Sequence, residues 1–135
     1  MPEIHSLVIH FPIALLSSAI LFDFLYVMSN DKDLAKVGWW VMLIGLISAT
    51  AGMATGIWQD ALIGHFGSTS PIWVNHGAVQ IFSFLIFLVL FIWRTRRSSV
   101  LTHLRLRWVY LLIGIISISF LFYGGHLGAK IAGRV

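Results

Sequence analysis

The stretch LVIHFPIALLSSAILFDFLYVM, residues 7–28, decides the fold. A helix needs about 20 consecutive apolar residues to cross the hydrocarbon core of a bilayer. Only helices and closed barrels satisfy every backbone group there, and an unbroken apolar run of this length reads as a helix. His10 stands at its entrance, directly ahead of Phe11 and Pro12. A protonatable ring at that depth is expensive unless something uses it.

Three further runs of the same kind follow, so membrane helices are predicted at about residues 7–28, 37–58, 74–93 and 107–126. Composition agrees: 59% of the 135 residues are hydrophobic and 10% are charged, with a mean hydropathy of +0.91. A soluble domain carries about 25% charged residues. The expectation is all-α: a polytopic membrane protein, a single transmembrane domain over residues 1–135, folded as an antiparallel up-down four-transmembrane-helix bundle because the connections are short. The chain has no cysteine, which excludes disulfides, thiolate metal sites and covalently attached haem. The first residues lack the basic n-region and small-residue cleavage pattern of a secretory leader, so none is expected.

The cations set the orientation. Lys32, Lys36, Arg94, Arg96, Arg97, Arg105 and Arg107 fall on one side and Lys130 and Arg134 on the other. The positive-inside rule then puts both loops in the cytoplasm and both termini outside, in a bacterial inner membrane. Trp39, Trp40, Trp93 and Trp108 mark one interface, and Trp58 and Trp73 the other. Topology accounts for the net charge of +4, and no nucleic-acid partner is expected.

Five of the six histidines lie toward the outer side: His5 and His10 at the start of helix 1, His65 in the loop after helix 2, His76 opening helix 3 and His126 closing helix 4. His103 lies alone in the basic loop and reads as solvated. Asp60 follows the end of helix 2, so each helix offers one polar group at a similar depth: His10, Asp60, His76 and His126. Small or polar residues share their faces: Ala14, Ser17 and Ser18 beneath His10; Gly52 and Gly56 before Asp60; Gln80 and Ser83 after His76; Ser119, Phe122 and Gly124–Gly125 around His126. At i, i+4 and i+7 spacing these line one side of a helix, which predicts that the histidine-bearing faces point inward. The small stripe on helix 2 reads equally as close helix packing. Asp23 lies about 20 Å along helix 1 from His10 at ~1.5 Å per residue. It reads as a structural acid bonded to Trp or backbone groups, or paired with a basic residue such as Lys36 or Arg107.

Three chemistries fit the outer polar groups. Neutral imidazoles on facing helices ligate haem b, with His10 and His76 as axial ligands, His126 as substitute, and Lys130 and Arg134 near the propionates. His10, His76, His126 and Asp60 also make a site for a single transition metal ion, Zn, Fe or Cu, with Asp60 a ligand or an orienting group. A hydrogen-bonded cap tying the helix ends together is the third. No HExxH pair, nucleophile elbow or phosphate loop occurs, and no catalytic residue is assigned.

The segments His10-Phe11-Pro12-Ile13-Ala14-Leu15, Leu21-Phe22-Asp23, Thr55-Gly56-Ile57-Trp58-Gln59-Asp60, Asn75-His76-Gly77-Ala78 and Gly124-Gly125-His126-Leu127-Gly128 occur in that order along the whole chain. In this the chain resembles a bacterial four-helix membrane family, the domain of unknown function 2231 family, with members fused to Rieske or cytochrome c modules. The resemblance implies a redox setting. It favours a b-type cytochrome-like electron-transfer protein with a quinol, a cytochrome c or a Rieske-type protein as redox partner, as a homo-oligomer or a subunit of a larger membrane complex.

Overall fold

The computed structural model describes the backbone of residues 2–63 and 76–131, and the side chains of residues 8–58 and 77–130. The described residues form four helices: α1 (Pro2–Ser29), α2 (Lys32–Ile63), α3 (His76–Arg96) and α4 (Leu106–Ile131). All four are long and apolar enough to span a bilayer, so the chain is an all-α, multi-pass membrane protein. Each helix exceeds its hydropathic core by up to several residues, because amphipathic and polar turns continue it past the apolar run.

Local chemistry explains the ends. Asn30 takes φ 59°, a left-handed conformation that Asn tolerates and that commonly closes helices. Its N–H donates to Tyr26 O at 2.7 Å. Asp31 then caps α2, its Oδ1 accepting from Asp33 N at 3.0 Å, which satisfies one orphan donor of the first turn. Asp31→Ala is expected to cost about 1 kcal/mol, read as a lower unfolding midpoint of the purified protein, whereas Asp31→Asn should leave it nearly unchanged. The segment between α3 and α4 is no plain solvated loop. Val100 and Leu101 are buried beneath the bundle, and His103 Nδ1 accepts from Arg105 N at 3.3 Å and Leu106 N at 3.5 Å, as a cap for α4.

The helices form a ring: α1 packs mainly on α2 and α3 on α4, and the α1–α4 and α2–α3 contacts close it. Leu16, Ala19 and Ile20 of α1, Met42 and Leu46 of α2, Phe87 and Leu90 of α3, and Tyr110, Leu111 and Leu121 of α4 fill the centre. The outer faces are equally apolar, with Leu21, Phe24, Ile47, Leu85, Val89 and Leu112 among the exposed side chains. The inward faces are picked out by small or polar residues. Gly38, Gly45 and Gly52, seven apart on α2, all turn toward α1. A Cβ at Gly45 would stand 2.9 Å from Leu16 Cδ2, and one at Gly114 of α4 would stand 2.6 Å from Ile20 Cδ1. This is the close small-residue packing that substitutes in lipid for a hydrophobic driving force. The packing reading of a small stripe on helix 2 holds at Gly38 and Gly45, with Gly52 in ordinary contact with α1; the side chain of Asp60, at the end of the expected stripe, lies outside the described residues.

Candidate functional sites at the two ends of the bundle

Asp23 is fully buried in α1, and Arg94 of α3 is 7% exposed. Arg94 Nη1 lies 2.7 Å from Asp23 Oδ1 and donates to Oδ2 at 2.8 Å, while Nη2 donates to the Ala35 carbonyl of α2. Tyr110 of α4, also fully buried, donates its hydroxyl to Asp23 Oδ2 at 2.8 Å and lies 3.8 Å from Met42 Sδ. Gly38 leaves the space that the carboxylate occupies: a Cβ there would meet Asp23 Oδ1. All four helices thus meet at one carboxylate, with the last turns of α1 and α3 beside the first turns of α2 and α4. The Trp93 ring stacks obliquely on Tyr110 at 6.3 Å, and Trp39 Nε1 donates to Thr95 Oγ1 at 3.0 Å just outside.

The structure bears out a basic partner for Asp23 and identifies it: neither Lys36 nor Arg107, the two examples the sequence suggests, but Arg94, which turns inward from the last turn of α3. Its position was legible in principle, since Ser83, Phe87, Leu90 and Arg94 follow the four–three–four stride of one buried helix face. A charge pair inside a membrane protein needs good geometry and further hydrogen bonds to offset its desolvation. Here the tyrosine and a backbone carbonyl supply them, and the cluster acts as a latch between helices.

The other end carries the histidines. Ile13 lies against Gly125 and Val8 against Gly52, while Gln80 lies against Gly124. The turns near His10 and His126 therefore share a level, as the sequence predicts. Their side chains do not point inward. His10, Phe11 and Ala14 are exposed on α1, and Ser119, Phe122 and His126 are exposed on α4. The inward face of α4 is instead Tyr110, Gly114, Ser117, Leu121 and Gly124. On α3 the prediction holds better: Gln80 is half-buried and Ser83 is buried, with Ser83 Oγ donating to Ser117 O at 2.9 Å.

His10 lines an open groove of about 640 Å³ with Val8, Phe11, Ser48 and Ala51. The groove is almost wholly apolar apart from the imidazole, and the small α2 residues opposite leave the room. Its lining fits a flat, apolar ligand anchored through one ring nitrogen. Among the described residues, no three of His, Asp and Glu gather as a metal site. The side chains of His5, Asp60 and His76, and His65 altogether, lie outside the described residues.

No curated protein and no solved structure matches the chain. The family model described as a predicted membrane protein (DUF2231) matches residues 2–135, and the chain belongs to that family.

Proposed function

We propose that this membrane protein is a b-type cytochrome-like electron-transfer subunit whose redox group binds at the His10 end of the bundle. The observation that supports this reading is the groove beside His10: apolar, with room left by Ser48 and Ala51 of α2, and carrying a single imidazole. Haem b, when bound, supplies one-electron exchange. The chain's own residues then have separate tasks. His10 would hold the haem through a ring nitrogen, with His76 or His126 as a further ligand. Val8, Phe11 and Ala51 would exclude water from it, Asp60 would orient a histidine or exchange a proton, and Lys130 and Arg134 would offset propionate charge.

In the same proposal the latch end, where Lys32, Lys36 and most arginines cluster, faces the cytoplasm of a bacterium, and both termini lie outside the inner membrane. A quinol, a cytochrome c or a Rieske-type protein is then the redox partner at the outer face.

An optical spectrum of the purified protein tests the reading. A Soret band with resolved α and β bands, lost in His10→Ala and retained in His103→Ala, is the expected result. A colourless protein with stoichiometric zinc, iron or copper would move the function to a non-haem metal site on His10, Asp60, His76 and His126. A colourless, metal-free protein would leave a structural subunit of a larger complex.

A further inference from the structure

The hydroxyls of this bundle behave in two ways. Ser18 Oγ donates back to Ala14 O at 2.7 Å, Thr50 Oγ1 to Leu46 O at 2.9 Å and Ser119 Oγ to Ile115 O at 3.0 Å. That back-bond is the cheap local choice for a helical Ser or Thr. Ser17 and Ser117 do not take it. Their Oγ atoms are buried and make no hydrogen bond, as is Gln80 Nε2, and Ser117 is 0% exposed. Buried polar atoms are almost always satisfied, and each orphan needs an explanation.

The register brings the two hydroxyls together. Ile13 lies against Gly125 and Ile20 against Gly114, which sets Ser17, on the same face of α1, within about one turn of Ser117 of α4. Ser83 Oγ of α3 donates to the Ser117 carbonyl, which leaves the Ser117 hydroxyl unpartnered. Gln80 Nε2 lies against Gly124, seven residues and about 10 Å further along α4, and belongs to a different layer.

We propose that Ser17 and Ser117 bind one internal water molecule. Both are neutral hydrogen-bonding groups, which suits a neutral guest that both donates and accepts. Internal waters typically make about three hydrogen bonds to groups left otherwise unsatisfied. Ile20, Phe87 and Leu90, each nearly or wholly buried, lie between this layer and Asp23. The water is thus separated from the latch by a dry layer of about 10 Å, the rise of the helix between Tyr110 and Ser117. The site ties α1 and α4 together at mid-membrane and places an exchangeable proton there. It stands independently of the redox proposal.

A double-mutant cycle on the full-length protein in nanodiscs tests it. Ser117→Ala and Ser17→Ala should each lower the thermal midpoint by about 4 °C, the scale for losing one net hydrogen bond in a domain of this size. The double variant should fall no further than the worse single, because both side chains share one guest. Ser18→Ala and Ser119→Ala, at back-bonded positions, should leave the midpoint within about 1 °C of the wild type. In the wild-type protein, NMR should show magnetisation transfer from a long-lived water to amides next to Ser117. A midpoint that rises in Ser117→Ala would mean that an unpartnered hydroxyl had been removed, and would overturn the proposal. So would strictly additive losses, or an absent water signal in the wild type.

Discussion

Arg94→Met should cost about 3–5 kcal/mol of folding stability, the penalty for leaving one member of a buried ion pair without its partner. Asp23 would keep only the Tyr110 hydroxyl, in a core whose other neighbours are Met42 Sδ and the backbone at Gly38. Tyr110→Phe removes one hydrogen bond to a charged group and should cost less, about 1.5–3 kcal/mol. The double variant Asp23→Leu/Arg94→Met removes both charges and fills similar volume, so it should recover much of the loss. Unfolding of each purified variant in mixed micelles by titration with a denaturing detergent measures the series. Wild-type stability in Arg94→Met would show that the pair contributes nothing, and a double variant worse than either single would show that the charges are needed for the fold itself.

That latch also shows which parts of the architecture can be read without coordinates. The spans are legible because the bilayer imposes length and apolarity on each helix separately. Which face of a span turns inward is much less so, because lipid and protein interior are both apolar: Leu16 and Ile20 point in, Leu21, Phe24 and Leu25 point out, and hydropathy does not tell them apart. The reliable markers are the residues that lipid penalises or that packing requires. Ser83 and Arg94 face inward on α3, and the seven-residue glycine repeat faces inward on α2. Histidines near a helix end are poorer markers, since the polar headgroup region tolerates them on either face. The sequence accordingly predicts the shared level of His10 and His126 but not that both are exposed on their helices. Asp23 reads as a structural acid, but its partner depends on how far α3 continues beyond its apolar core. The helix runs to Arg96, which carries Arg94 inside the bundle rather than into the loop.

The glycine repeat should give a graded response to a single added methyl, with the steepest cost at the latch. At Gly38 the new Cβ meets Asp23 Oδ1 and lies 3.4 Å from the Ala19 carbonyl. The carboxylate is held by Arg94 and Tyr110, and the backbone oxygen cannot rotate away, so neither neighbour yields cheaply. Gly38→Ala should therefore cost about 2–3 kcal/mol, the upper part of the range for overpacking. At Gly45 the neighbours are Leu16 Cδ2 at 2.9 Å, Leu16 Cγ at 3.0 Å and Leu15 Cβ at 3.3 Å. A leucine tip can turn where a carboxylate cannot, and the expected cost falls to about 1 kcal/mol. At Gly52 the nearest atom is Val8 Cγ1 at 3.9 Å, an ordinary contact. Gly52→Ala should be neutral or stabilising by up to about 1 kcal/mol, because alanine is the better helix former. Gly38→Ala and Arg94→Met disturb the same carboxylate, so their combined cost should be less than the sum of the two, whereas Gly52→Ala and Arg94→Met should add. Denaturing-detergent midpoints of the three alanine variants, alone and with Arg94→Met, read out both the gradient and the coupling. A flat series would mean that α1 and α2 can separate without penalty, and strict additivity of Gly38→Ala with Arg94→Met would mean that the glycine does not serve the latch.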